Sequence, residues 1–395
     1  MNNTQLNTTA ITHAFGGEVL QPTALDAYDW PEHDPRLVEQ PTRVRQLADD
    51  ALVQAVAEPV FDLELFLKRV AGLPESRQIM SLLAHAVFNF NGVTRVRDEA
   101  EWCQRIERRV AQALPIEVLY PWGCKIGNAA KLFDAHGPTF AELVSLKFMA
   151  SAMAAVGRIY PPGAKLHLIT DTVFYNTALG NPPPEVAGYR DTLVNWTRLP
   201  GIAGYVQVDD YAELLAPYAG EYCAGYTELY VRMERERDSL VDSETWQRLH
   251  RSTRAVINTR HLGFDYQTLK SVFGPSPDPD DPRVQRVDAM ASEALKLQLV
   301  TKAAADRMGF LDRWRPDHVR ASCHKGLKHG RAVLGLRPYS EYYGASKLLP
   351  YHGAALVTEH KGRPRMVIQP EIVLRGRNDL TRVTDTEGRT WYYFG

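Results

Sequence analysis

Apolar positions in the first third of the chain recur at helical intervals. Leu63, Phe66, Leu67 and Val70 fall at i, i+3, i+4 and i+7, one face of a helix. An apolar run from Ile79 to Phe88 follows, and Trp102, Ile106, Val110 and Leu114 recur every four residues, a stripe over 99–114. Thr139 and Glu142 then make a Ser/Thr-x-x-Glu capping box directly after Gly137-Pro138. Behind it Leu143, Leu146, Ala150, Met153 and Gly157 predict a helix with one core-facing stripe. Pro161-Pro162-Gly163 cannot continue that helix, and the mostly apolar run Leu166–Thr170 has the length of a strand.

Helical patterns return over 186–195, 211–238 and 284–308. Before the last of these, residues 274–282 hold four prolines in nine positions, which forbids regular structure there. The chain ends in strand patterns. Residues 354–358 and 365–368 flank a turn at Lys361-Gly362, and 382–384 and 390–394 flank one at Glu387-Gly388; the glycines supply the positive φ of such turns. The organisation predicted is an N-terminal arm over 1–50, a helical region over 51–115 and an α/β domain over 116–395 that closes in C-terminal β-hairpins.

Composition narrows the class. Among 395 residues 45% are hydrophobic and 24% charged, as in a globular protein with a substantial core, and the net charge of -1 lacks the basic footprint of a non-specific nucleic-acid binder. No apolar run approaches the ~20 residues that span a bilayer, and the polar N-terminus carries no signal-peptide pattern. Cys103, Cys124, Cys223 and Cys323 are scattered and form no C-x-x-C pair. Reduced thiols and a cytoplasmic protein without a zinc site are therefore expected. No glycine-rich phosphate loop stands between a strand and a helix, so neither a dinucleotide nor a P-loop nucleotide is indicated. The arm over 1–50 could pair two subunits into a homodimer.

Two stretches carry chemistry. In the first, a loop with Lys125, Asn128 and Lys131 precedes the capped helix, and Asp171 ends the strand after it. Ligands of α/β proteins bind at the carboxyl ends of strands, so these residues are site candidates; the plain alternative is an αβ unit with no site. In the second, a strand over 318–324 would set Arg320, Ser322 and His324 on one face and Val319, Ala321 and Cys323 on the other. Arginine holds carboxylates or phosphates in a bidentate grip, and histidine moves protons near neutral pH. An ordinary polar strand face is the alternative. Lys325, Lys328, His329 and Arg331 continue the basic run, and His352 stands at a loop-to-strand junction where it could line the pocket or cap a strand. His324 and His329 are five apart, which does not suit a helical metal pair, so no metal site is expected.

These stretches resemble the pyoverdine/dityrosine biosynthesis family, which includes isonitrile (isocyanide) synthases. The family pattern Phe-Pro-x-Lys-Ser-Pro-Asn-x-x-Lys is matched in spacing by Lys125, Asn128 and Lys131. Tyr-Pro-Pro-Gly-Ala is intact at Tyr160–Ala164, and the family's Ser-Asp-Gly-Arg-Val-Phe compares with Thr170, Asp171, Thr172, Val173 and Phe174. Arg-Leu-Ser-Ile-His-Pro compares with Arg320 to Lys325, and Pro-Trp-His with Pro350, Tyr351 and His352.

The resemblance implies a modified Rossmann-like sheet with flanking helices. It implies an enzyme that condenses the amine of an amino acid, usually tryptophan or tyrosine, with ribulose 5-phosphate, a pentulose phosphate that donates one carbon. No cofactor is implied. Lys125, Lys131 and Arg320 would be clamps for the substrates' anionic groups, with Asn128, Ser322 and His352 beside them. His324 and Asp171 would be the acid/base groups. Three departures stand out: Ile126-Gly127 replaces Ser-Pro, Thr172 replaces Gly-Arg, and Lys325 replaces Pro. The missing arginine leaves room for another co-substrate (N-formylation is one case) or for a non-catalytic binding protein. It also suggests an anion clamp rebuilt from Lys325, Lys328 and Arg331.

Overall fold

The computed structural model describes residues 41–43, 50–89, 99–125, 127–128, 131–132, 137–170, 174–236, 241–274, 276–322, 334–342 and 348–395. Its strands are β1 (Pro41–Arg43), β2 (Ile116–Trp122), β3 (Ala164–Thr170), β4 (Val206–Asp210), β5 (Val319–Ser322), β6 (Leu334–Gly335), β7 (Ala354–His360), β8 (Arg363–Gln369), β9 (Thr381–Thr384) and β10 (Thr390–Phe394). The N-terminal helices are α1 (Asp50–Ala57), α2 (Leu63–Val70), α3 (Glu75–Leu83) and α4 (Glu99–Ala111). The long capped helix is α5 (Phe140–Gly157), followed by α6 (Phe174–Ala178), α7 (Pro183–Trp196), α8 (Tyr211–Leu215), α9 (Ala219–Arg235) and α10 (Glu244–Arg254). The last are α11 (Tyr266–Phe273), α12 (Pro282–Arg307), α13 (Phe310–Trp314) and α14 (Glu371–Arg375).

Two five-stranded sheets organise these elements. The first is all parallel, in the order β4-β3-β2-β5-β6. The chain therefore builds outward from β2 in one direction through β3 and β4, then reverses and adds β5 and β6 on the other flank. This is the mixed α/β, Rossmann-like class. The reversal lies between β2 and β5, and the crevice outside the carboxyl ends of such a strand pair is where α/β ligands bind. Pairing of β2 with β5 is confined to Val118 and Leu119. Pro121, two residues on, has no N–H to offer a ladder, so the strands part toward their carboxyl ends.

The second sheet has the order β1-β9-β10-β7-β8. Both hairpins expected from the C-terminal pattern form, with Lys361 and Gly362 at positive φ in the first turn. They are not separate elements, because β10 pairs in parallel with β7. Residues 41–43, placed in the N-terminal arm by composition, form the edge strand β1 alongside β9.

Helix α5 differs from its expected single stripe, since 14 of its 18 residues are buried. It touches β3 and β4 of the parallel sheet, β7 and β10 of the second sheet, and α1 and α3. A helix enclosed on all sides must be apolar all round. It is long and apolar enough to cross a membrane, but it is mostly buried inside the protein. Two other expectations change. The pattern over 211–238 breaks at Pro217 into α8, a 3-10 turn over Ala216–Tyr218, and α9. The stripe from Trp102 ends with the helix at Ala111, because Ala113 adopts a positive φ and Leu114 points outward, 39% exposed.

Candidate functional site

The carboxyl end of β2 is braced from beneath by a buried polar chain. Trp122 Nε1 donates to the Tyr189 hydroxyl at 3.0 Å, which donates to Glu142 Oε1 at 3.3 Å. Glu142 Oε2 accepts from Thr139 N, from Thr139 Oγ1 and from Lys125 Nζ, each at 2.9 Å. Lys125 Nζ also bonds Thr139 Oγ1 at 3.0 Å, Pro350 O at 2.8 Å and Gly353 O at 3.4 Å. The capping box read from the sequence is thus present, and its glutamate also neutralises a buried lysine. Burial pulls the Lys125 ammonium below its ordinary range, and Glu142 opposes that pull. Burial and the adjacent Glu142 push the Tyr189 phenol well above its ordinary range. Burial likewise pushes up the neighbouring Cys124 thiol.

This alters the expected role of the Lys125 loop. Lys125 and Lys131 are both buried and turned into the protein. The four acceptors around Lys125 more than match the three N–H bonds of an ammonium. Lys131 takes a backbone bond from its N–H to Asn128 O at 2.9 Å, and its carbonyl accepts from Glu371 N at 2.7 Å. The Glu371 carboxylate accepts from Thr390 Oγ1 at 2.6 Å and pairs with Arg375 at 3.1 Å, tying this loop to the second sheet.

Asn128 is also an interior group, donating to Ala255 O at 3.2 Å. The preceding Gly127 carbonyl accepts from Thr259 N and Arg260 N. A Cβ on Gly127 would lie 2.3 Å from the Asn258 amide. That explains one departure from the family pattern, since glycine here makes room for Asn258. Asn258 Nδ2 donates to Gly180 O at 3.1 Å and to Asn181 Oδ1 at 3.2 Å, while its Oδ1 accepts from Arg260 N at 3.0 Å. Asn181 Nδ2 donates in turn to Asn176 Oδ1 at 3.0 Å. The buried amide thus ties segment 255–260 to the turn between α6 and α7, and the backbone N–H groups of Thr259 and Arg260 tie it to the loop after β2. Asn258→Ala is expected to lower stability by about 1–3 kcal/mol, the cost of buried partners left unsatisfied. Calorimetric unfolding checks it, and a loss below about 0.5 kcal/mol would mean the network is not structural.

On β5 the expected alternation holds: Val319 and Ala321 are fully buried, and Arg320 is half-buried on the opposite face. Val319 and Ala321 belong to the core around α5, so Arg320 lies on the other side of the sheet from it. Arg320 is in register with Leu119 and hence with His167 on β3. That row lies three residues, roughly 10 Å at strand rise, behind the end of β2. The expected meeting of Lys125 and Arg320 in one pocket is therefore not what the fold provides. Lys125 serves the α5 side, and Arg320 is set back on the far face. Ser322 is buried at the end of β5. His352 is half-buried on a 3-10 turn at the end of β2. Asp171, His324, Lys325, Lys328 and Arg331 lie outside the described residues.

The sequence reading took Glu142 only as half of a capping box and passed over Tyr189, Asn258 and Arg260. A signal existed for Glu142: a lone charge among Phe140, Ala141, Leu143 and Val144 needs a buried partner. Arg260, largely buried, pairs with Glu185 at 3.3 Å beside the Gly127 loop. Nothing local announces it.

The family model of the pyoverdine/dityrosine biosynthesis proteins matches residues 106–374. The chain belongs to this pyoverdine/dityrosine biosynthesis family. It is thereby a member of a biosynthetic enzyme family. The crystal structure of the PvcA protein from Pseudomonas aeruginosa shares the fold, with a TM-score of 0.58 over 81% of this chain and 99% of that one at 18% identity. No curated protein sequence matches the chain. The matched span takes in β2 to β8, and so the whole parallel sheet and the point where its strand order reverses.

Proposed function

We propose that the protein is an isonitrile-synthase-like enzyme that joins the amine of an amino acid to the ketone of a pentulose phosphate, ribulose 5-phosphate, in a secondary-metabolite pathway. The observation that carries the reading is positional. Of the two stretches that match the family pattern, Lys125–Lys131 follows β2 and Arg320–Ser322 ends β5, the two strands either side of the point where strand order reverses. That is where a doubly wound sheet opens a crevice.

The roles divide by burial. Lys125, Asn128 and Lys131 build the wall of the crevice. Ser322 at the end of β5, with Lys325, Lys328 and Arg331 following it in the chain, supplies the hydroxyl and the cations for a carboxylate or phosphate, and Arg320 stands behind them on the far face of the sheet. Asp171 and His324 follow the ends of β3 and β5 and act as acid and base. Condensation needs such groups: the amine must be deprotonated to attack, and the hydroxyl of the adduct leaves as water only when protonated.

The test is to incubate the protein with single amino acids and ribulose 5-phosphate carrying 13C at its ketone carbon. Mass spectrometry and 13C resonance then follow the label into the amino-acid product. An isonitrile carrying the label supports the proposal. Label found in a formamide instead would place a different reaction on the same scaffold. If no amino acid takes up label and no pentulose phosphate raises the melting temperature, the sugar-phosphate assignment fails.

A further inference from the structure

The geometry points to Lys125 as the positioning residue for His352, which it holds at the carboxyl edge of β2 as a proton-transfer group. This rests on the condensation proposed above. The turn Pro350–His352 is a single 3-10 turn, and the backbone bond that closes it runs from His352 N to Leu349 O at 2.8 Å. The two carbonyls that bracket Tyr351 and His352, Pro350 O at 2.8 Å and Gly353 O at 3.4 Å, both converge on Lys125 Nζ. Nζ is itself fixed to the start of α5 by Glu142 and Thr139. The ammonium thus clips the turn to the loop after β2.

Packing completes the placement. The Tyr351 ring lies where a Cβ on Gly123 would be, 2.4 Å from that position, and stands edge-on to Trp122 with centroids 5.2 Å apart. The His352 ring stands edge-on to Tyr351 at 4.7 Å. Pro350 and Tyr351 are buried while His352 is half-buried. The member of the turn that keeps an accessible side chain is therefore its imidazole, the side chain that most often serves as a general acid or base. In the condensation the amine nitrogen forms a bond to the ketone carbon and gives up a proton. The nitrogen gives up a second proton as well, and the former ketone oxygen takes both, becoming first a hydroxyl and then water, so one imidazole can carry each proton in turn from nitrogen to oxygen. The step releases one water and needs no oxidant.

The test compares the wild type with Lys125→Met/Glu142→Gln, in which no buried charge is left unpaired, and with His352→Gln. Amide hydrogen exchange at 351–353 is expected to quicken at least about tenfold in the double variant, the scale of one charged hydrogen bond. Exchange within α5 and the melting temperature should stay near wild type. His352→Gln should lower turnover about 10²-fold, the contribution of a general acid–base group. The same change placed in the double variant should add little, because both act through one group. Unchanged exchange at the turn, a rise spread over the whole protein, or losses that multiply would each overturn the assignment. If the wild type yields no condensation product, the proposed reaction fails, and exchange at the turn alone decides whether Lys125 positions it.

Discussion

Glu142→Ala is expected to lower stability by roughly 3–5 kcal/mol, the cost of breaking a buried ion pair and leaving one charge alone. Its carboxylate is fully buried, and it accepts from Lys125, from Thr139 twice and from Tyr189. Alanine removes all four acceptor contacts. Lys125 would keep only neutral oxygens as hydrogen-bond partners, and the N-terminus of α5 would lose the glutamate half of its capping box. A typical protein is stable by about 5–15 kcal/mol, so this change alone takes a large share. Urea denaturation should show a lower midpoint with an unchanged slope. Lys125→Met/Glu142→Gln is expected to bring the midpoint back to near wild type, since no buried charge is left alone and glutamine can still accept from Thr139 and Tyr189. A midpoint within error of wild type in Glu142→Ala would mean that water enters and solvates Lys125.

Gly123→Ala is expected to cost about 1–3 kcal/mol and to reduce turnover about 10²-fold. The added methyl would sit 2.4–2.9 Å from three atoms of the Tyr351 ring. The ring cannot swing aside freely, because it is buried against Trp122 and His352. The ring must shift, or the turn that carries it, which is the cost of overpacking. A displacement of about 1 Å at a reacting group is enough for that loss of rate. Thermal unfolding and steady-state kinetics on the purified variant check both numbers. Wild-type kinetics with a lowered melting temperature would show that Tyr351 packs without positioning anything for the reaction.

Local features were readable along the chain. The capping box before α5, the stop at Pro161-Pro162, the alternation of Val319, Arg320 and Ala321, and the turn at Lys361-Gly362 each depend on neighbours within a few residues. Backbone sterics and side-chain period settle such features wherever the segment lies. The family pattern added the order of the motifs, and with it the class of the sheet. What the chain alone left open was where its charges point. Lys125 and Lys131 match a pattern that suggests clamps, yet both are buried. Their partners Glu142, Pro350, Gly353 and Glu371 come from 17 to 240 positions away. Arg320 obeys its strand period, but only the register against Leu119 sets it behind the crevice and on the face away from α5. Residues 258–260 join two loops through contacts about 80 and 130 residues distant, and β1 finds β9 across more than 300. A charge or amide is driven to a partner by the cost of burying it unpaired, and that cost exists only once the sheets have closed around it.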